Sequence, residues 1–268
     1  MNPPMAIIRE IIRQKKKNLT VVSGPTSGIE TDILIGAGCV KKVITSCVSF
    51  EKIIGIAPNF REKIENNEVE IWECDEAMWH LAVKAGTFNM PFAVYEGGLG
   101  SSIPELNKEI KIIKDHGKRY LKIPAVKIDT AIIHAGLGDE FGNIQFPDNL
   151  FLGRTYCEKE LGMNAKTVIA SVEKLVPNEF IRQNAKNTIL TNAFVVKARF
   201  GAHPGASNGY YMPDLPHYEE YVKAAEDSRV NKTNKFEKYM EKYVYNLKNH
   251  KEYLDLFKPS RLTELEYY

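Results

Sequence analysis

The sequence predicts an α/β protein with an open, mainly parallel sheet and helices on both of its faces. Short segments rich in β-branched residues recur along the chain, and many are apolar on both faces, which is typical of strands inside a parallel sheet. Helical patterns lie between several of these segments, as expected for alternating β and α units. The chain has 268 residues, of which 44% are hydrophobic, so it can bury a full core.

The first element is an amphipathic helix over residues 4–17, because its isoleucines share one stripe and its basic residues gather at the C-terminal end. Further helices are predicted at 75–86 and 177–183, and residues 97–120 indicate an excursion from the sheet. The predicted strands are residues 19–23, 40–47, 69–73, 91–95, 128–135, 167–172 and 193–199.

The chain changes character at about residue 217, where Lys, Glu, Tyr and Asn begin to dominate. Residues 217–268 predict peripheral helices on the outside of one domain that spans residues 1–268. The many tyrosines of this segment are expected to pack their rings and leave their hydroxyls in water.

Composition argues against several functional classes. The chain has 36 Lys and Arg against 34 Asp and Glu, so no basic field predicts nucleic-acid binding. The four cysteines form no CxxC pair and no cluster with zinc spacing, so we expect free thiols in a reducing cytoplasm and no metal. No apolar run reaches the length of a membrane span.

The segment Glu96-Gly97-Gly98-Leu99-Gly100-Ser101-Ser102 directly follows the predicted strand 91–95. Glycines let the backbone approach a ligand closely, and amides with two hydroxyls could hold a thioester oxyanion or a phosphate. A tight turn that needs positive φ angles would have the same composition, so both interpretations stand at this point.

The segment Cys74-Asp75-Glu76-Ala77-Met78-Trp79-His80 joins a strand end to a helix start. Ligands of α/β proteins usually bind at such strand ends. Glu76 and His80 are four residues apart and therefore share a helix face, where a carboxylate could act as nucleophile or activate water. Asp75 as helix cap and Glu76 as a first-turn acid is the structural alternative.

Two histidines lie at or beyond strands. His134 lies on the strand 128–135, before the glycine-rich turn 136–143, and could be a site residue or be held structurally. His203 lies in the glycine-containing loop 201–207, which could bind a ligand or seat a partner subunit. The sequence does not predict a Ser/His/Asp triad, and it contains no Walker loop or G-x-G-x-x-G dinucleotide fingerprint.

These segments, in this order, resemble the A subunit of family I coenzyme A transferases, especially the glutaconate CoA-transferase branch. The likeness runs nearly end to end. It includes residues 19–22, 35–43, 129–143, 201–204, 250–254 and 260–262.

The resemblance implies an open CoA-transferase (Rossmann-like) fold and an obligate partner, the B subunit, in an A/B heterodimer or a heterotetramer. It implies that the B subunit carries a glutamate nucleophile. It also implies a coenzyme A thioester as substrate, together with a carboxylic acid and with no separate cofactor. The predicted substrate- and CoA-binding residues are Gly97, Gly98, Gly100, Ser101, Ser102, His134 and His203.

Two departures from the family pattern bear on these predictions. The chain starts at Met1, inside what should be a loop-to-helix junction, so the family's first strand and first glycine loop are expected to be lacking. Glu76 is absent from the glutaconate branch but resembles a position in heteromeric hydrolases that open a steroid ring held as a CoA ester. Glu76 is therefore the candidate catalytic residue of this chain. The alternative functions are one half of a heteromeric C–C bond hydrolase and a non-catalytic scaffold that completes its partner's site.

Overall fold

A computed structural model describes residues 2–50, 53–147 and 156–266 of the chain. The helices of this part are α1 (Met5–Arg13), α2 (Ile29–Gly36), α3 (Pro58–Glu65), α4 (Glu76–Thr87), α5 (Ile103–Leu106), α6 (Tyr156–Asn164), α7 (Asn178–Gln183), α8 (Leu215–Asn231), α9 (Lys235–Met240), α10 (His250–Leu254) and α11 (Pro259–Thr263). The strands are β1 (Leu19–Val22), β2 (Thr26–Ser27), β3 (Val40–Ile44), β4 (Cys47–Val48), β5 (Glu70–Trp72), β6 (Phe92–Tyr95), β7 (Lys111–Asp115), β8 (Lys118–Pro124), β9 (Ile128–Gly138), β10 (Ile144–Gln145), β11 (Ala165–Leu175), β12 (Thr188–Leu190) and β13 (Phe194–Lys197).

The N-terminal part contains a parallel sheet with the strand order β1-β3-β5. Their carboxyl ends lie at one edge, where β2 and β4 continue the chain as a short parallel pair. Helix α1 presents Met5, Ile8 and Ile12 to the interior, as its isoleucine stripe predicts. This edge of the sheet is the place where the predicted segment 74–80 begins, directly after β5.

The second sheet has the order β12-β10-β9-β11-β13. Strands β9, β11 and β13 are parallel, whereas β10 and β12 add to the sheet in antiparallel fashion. Parallel strands with helices between them confirm the predicted α/β class. The predicted strands do not form one continuous sheet but are divided among separate hydrogen-bonded sheets.

The excursion after β6 is itself a sheet. Strands β6, β8 and β7 are antiparallel in that order, so β6 does not join a parallel sheet. The turn between β7 and β8 has positive φ angles at His116 (46°) and Gly117 (83°), which is the backbone that a two-residue hairpin turn requires. The excursion predicted at 97–120 is therefore a hairpin that extends the strand before it.

The C-terminal helices share the main core with α1, α2 and α3. The expectation that their tyrosine hydroxyls face water is wrong for three buried side chains. Tyr221 donates to Asp32, Tyr239 bonds to His217, and Tyr253 bonds to His203. No helix in the described ranges is long and apolar enough to cross a membrane.

Candidate active site

The loops after β1 and β3 are tied together at the carboxyl edge of the parallel sheet. The Thr45 hydroxyl donates to the carbonyl oxygen of Gly24 at 2.7 Å. The Ser23 hydroxyl donates to the Ser27 hydroxyl at 3.2 Å. These bonds hold the Gly24 loop at the edge where β5 also ends.

Helix α4 begins at the same edge, directly after β5. Asp75 caps it, because its Oδ1 accepts the Met78 amide at 2.7 Å. The structural prediction for Asp75 is thus confirmed, and it fixes Glu76 as the first helical residue. The Glu76 side chain is 48% exposed, so it is accessible to a ligand.

Glu76 belongs to a row of polar side chains that joins α4 to α6. The His80 Nε2 lies 4.0 Å from Glu76 Oε1, and its Nδ1 lies 2.7 Å from Glu160 Oε2. Glu160 also pairs with Lys84 at 3.3 Å. The predicted shared face of Glu76 and His80 is confirmed. Glu160 orients the imidazole, so the His80 ring is held beside the Glu76 carboxylate without a hydrogen bond between them.

Sequence reasoning missed Glu160, because it lies 80 residues from His80 and only the packing of α6 on α4 brings them together. It also missed Glu158 on the same helix. Burial raises the pKa of Glu158 to about 7, and the nearby Glu30 carboxylate acts in the same direction. Acidic residues on a helix usually face solvent, so the sequence gave no indication that Glu158 or Glu160 lies near the site.

The glycine loop adopts backbone conformations that side chains disfavour. Gly98 has a φ of +77° and Gly100 a φ of +88°. The Ser101 hydroxyl donates to the Gly98 carbonyl oxygen at 2.7 Å and so closes the turn. The prediction of a turn with positive φ is confirmed, whereas ligand binding by the loop remains a prediction.

This loop lies against the first turn of α4. A Cβ added at Gly98 would lie 2.3 Å from Met78 Cε and 3.3 Å from Leu121 Cδ1. Farther along, the Asn107 side chain donates to the carbonyl oxygen of Glu73 at 2.9 Å, at the end of β5. The loop is therefore fixed beside the carboxyl edge and next to the helix start that carries Glu76.

The amides of Gly98, Leu99 and Gly100 donate no hydrogen bond within the described part of the chain. Ser101 and Ser102 are exposed at the end of the same loop. Adjacent amides without an acceptor can hold a developing oxyanion, as happens when a thioester carbonyl is attacked. Gly97 leaves room for the Tyr95 side chain, because a Cβ at position 97 would lie 2.3 Å from Tyr95 Cζ.

Of the cysteines near this edge, Cys74 is a poor nucleophile. Burial raises the pKa of the Cys74 thiol to about 12, so it stays protonated near neutral pH. Cys157 lies at the start of α6, and its Sγ would be 3.9 Å from a Cβ added at Gly24. That contact places the start of α6 beside the Gly24 loop.

His134 lies in the interior, with no exposed surface. Its Nδ1 bonds to Ser171 at 2.9 Å and its Nε2 to Glu173 at 2.7 Å. Glu173 also accepts the Phe200 amide at 2.8 Å. In this conformation His134 cannot touch a ligand, and the structural alternative fits: it anchors the chain before residues 201–207.

His203 is likewise fully buried, together with residues 201–208 around it. Its Nδ1 bonds to Tyr253 at 2.7 Å and its Nε2 to Asp214 at 3.1 Å. Its carbonyl oxygen accepts from the buried Arg9 at 3.0 Å. The loop therefore holds α1 and the C-terminal helices together, and its backbone does not line the exposed edge.

Residues 1–198 match the family model for coenzyme A transferase. The A subunit of a 3-oxoadipate CoA-transferase from Pseudomonas knackmussii is 30% identical, with coverage of 93% of this chain and 86% of that protein. The crystal structure of glutaconate coenzyme A-transferase from Acidaminococcus fermentans superposes with a TM-score of 0.89 at 25% identity, covering 99% of this chain and 87% of that one. This match confirms the type of fold that the sequence predicts.

Two other relatives are a hydrolase subunit and a longer protein. The chain is 31% identical to a cholesterol ring-cleaving hydrolase subunit from Mycobacterium tuberculosis, over 81% of this chain and 76% of that protein. It is also 34% identical to an uncharacterized protein of Archaeoglobus fulgidus over 97% of this chain, yet it spans only 57% of that protein's length.

Proposed function

Because the chain belongs to the coenzyme A transferase family, we propose that it is the A subunit of a heteromeric acyl-CoA:carboxylate CoA transferase. The likeness to A subunits of two such enzymes supports the assignment, because it extends over 93% and 98% of the chain. The proposed partner is a B subunit, in an A/B pair or a doubled assembly. We place this assembly in the cytoplasm.

The observation that carries the proposal is the glycine loop with its spare amides. The amides of Gly98, Leu99 and Gly100 lie beside the start of α4, at the carboxyl edge of the parallel sheet. A thioester carbonyl oxygen placed against them would gain stabilisation as it becomes negative. We propose a coenzyme A thioester and a carboxylic acid as the substrates, with no separate cofactor.

The reaction then proceeds through a glutamate of the partner subunit. Its carboxylate attacks the thioester carbonyl and expels the CoA thiolate, which leaves an acyl–glutamyl anhydride. The thiolate attacks the glutamyl carbonyl and releases the donor acid as a carboxylate. The resulting glutamyl-CoA thioester is attacked by the acceptor carboxylate, and the same steps in reverse give the new acyl-CoA and the free glutamate.

In this scheme Glu76 faces the reacting thioester from the A side and is not the covalent nucleophile. His80 lies between Glu76 and Glu160, and its bond to Glu160 holds the ring beside the Glu76 carboxylate. We propose that Ser101 and Ser102 contact the substrate at the exposed end of the glycine loop.

The test is to co-express the chain with the product of the adjacent gene and to assay CoA exchange between acyl-CoA and a panel of acids. The purified chain alone should be inactive. Treating the pair with acyl-CoA and trapping with hydroxylamine or borohydride should modify a partner glutamate. Transfer by the chain alone, or an adduct on Glu76, would overturn the assignment of the nucleophile.

A second candidate is one half of a heteromeric, CoA-thioester-dependent C–C bond hydrolase. The row Glu76–His80–Glu160 favours it, because a carboxylate beside an oriented imidazole can activate water. A partner that lacks a glutamate nucleophile, with ring-opening activity that Glu76→Gln abolishes, would establish this reaction. If neither the partner's glutamate nor Glu76 affects turnover, the chain is a scaffold that completes its partner's site.

A further inference from the structure

The hairpin formed by β7 and β8 has a concentration of positive charge that its own contacts do not explain. Lys111 lies opposite Lys122, and Lys114 lies opposite Arg119. Like charges directly opposite each other destabilise a strand pair. Each such pair lowers the stability of the hairpin unless an anion lies between the two side chains.

One lysine of the first pair has an observed ring contact, whereas neither member of the second pair has a partner among the described residues. The Lys122 ammonium lies 4.4 Å from the centre of the Phe92 ring, which accounts for its position. Lys114 and Arg119 are exposed and form no ion pair with any carboxylate of the described residues. The neighbouring Asp115 is bonded to His116 at 2.9 Å.

Lys114 and Arg119 lie on the same face of the hairpin as Leu121, which borders the glycine loop. Side chains alternate along a strand, so Arg119 shares a face with Leu121, and Lys114 shares it with Ile112. A Cβ added at Gly98 of the glycine loop would lie 3.3 Å from Leu121 Cδ1, so Leu121 borders the loop. Arg119 therefore lies about 7 Å farther along the strand than the residue on which the loop packs.

We propose that Lys114 and Arg119 bind phosphate groups at the nucleotide end of the coenzyme A substrate. The proposal rests on the proposed function, since coenzyme A carries a 3′-phosphate and a diphosphate on its adenosine. When the thioester lies on the amides of Gly98 to Gly100, the pantetheine arm must leave the loop along a neighbouring surface. The hairpin is such a surface, and it presents two cations side by side.

Phosphate is the anion that best suits this pair. A guanidinium binds two phosphate oxygens at once, while a lysine adds a compact charge. An acidic surface of the partner subunit would neutralise the same side chains, but it would not require that they lie in line with the glycine loop. The alignment with Leu121 and Gly98 therefore favours the substrate.

The test uses the assembled enzyme with the double variant Lys114→Gln/Arg119→Gln. We expect KM for acyl-CoA to rise about ten-fold, or about 1.4 kcal/mol, with kcat unchanged, because charged hydrogen bonds to phosphate are lost. KM for the corresponding acyl-pantetheine, which lacks the nucleotide, should not change. The matched control is Lys238→Gln/Lys251→Gln, which removes two charges from exposed positions on α9 and α10.

Calorimetry with adenosine 3′,5′-bisphosphate tests the site without turnover. Binding by the wild-type assembly and its loss in the double variant would support the proposal even if the reaction is hydrolysis. An equal rise in KM for acyl-pantetheine, an equal effect in the control variant, or unchanged bisphosphate binding would overturn it. Failure of the subunits to assemble would assign the pair to an acidic partner surface. Absence of CoA exchange by the wild-type assembly would instead refute the proposed function.

Discussion

Gly98→Ala and Gly100→Ala should differ in cost although both glycines have a left-handed backbone. The φ angles are +77° and +88°, so a side chain is strained at either position. Their surroundings differ. A Cβ at Gly98 would lie 2.3 Å from Met78 Cε, whereas no atom lies within 4 Å of a Cβ at Gly100.

The two contributions can be separated. Strain alone should lower the free energy of unfolding by about 1–2 kcal/mol in Gly100→Ala. Gly98→Ala carries the same strain plus overpacking against a fully buried methionine, which adds about 1–3 kcal/mol. Met78 lies two residues beyond Glu76 on α4, so its displacement should also disturb the site and lower kcat more than Gly100→Ala does.

Urea unfolding of the assembled protein measures these costs, and a double-mutant cycle with Met78→Ala identifies their origin. Once the Met78 side chain is truncated, the extra cost of Gly98→Ala over Gly100→Ala should shrink to what the 3.3 Å approach to Leu121 Cδ1 leaves. Equal costs in the unmodified background, or an undiminished difference after Met78→Ala, would refute the reasoning from close packing.

Three further outcomes are expected. Glu76→Gln should lower turnover while changing the free energy of unfolding by no more than about 1 kcal/mol, and unchanged kcat would reduce Glu76 to a helix-dipole residue. Burial lowers the pKa of His217 well below its usual value, so the neutral form is favoured in the fold, and stability should be lost as the pH falls below about 6.5. Urea midpoints from pH 7.5 to 5 should fall less steeply in His217→Gln, and parallel curves would contradict this. Gly86→Ala should cost about 3 kcal/mol or more, because its Cβ would lie 1.9 Å from the Val126 carbonyl oxygen. Gly117→Ala, which has open space and only backbone strain, is its control, and equal thermal shifts would contradict the expectation.

The strands of the fold could be predicted from sequence because they are β-branched and apolar. Strand β3 was expected at 40–47 and is Val40–Ile44, and β9 was expected at 128–135 and continues to Gly138. The hairpin β7–β8 is not predicted, because its many lysines make the alternation of apolar and polar residues around Ile112, Leu121 and Ile123 hard to recognise. The dipeptide His116-Gly117 was the one local signal of its turn.

The site was predictable where local geometry determines it and not where packing does. The cap at Asp75 and the shared face of Glu76 and His80 follow from helix spacing alone. The burial of His134 and His203 does not, because a histidine near a strand end has the same local sequence whether it faces a ligand or the core. Only the bonds of these rings to partners far along the chain distinguish the two cases.

The bond between Asp32 and Tyr221 links residues 189 positions apart and has a consequence for synthesis of the chain. Asp32 is fully buried, and besides Tyr221 it is bonded to Asn59 and to the Phe60 amide. While a ribosome has made only the first 216 residues, this carboxylate lacks its hydroxyl donor and the core beside it lacks α8. The part of the core around Asp32 should therefore close only after α8 has emerged.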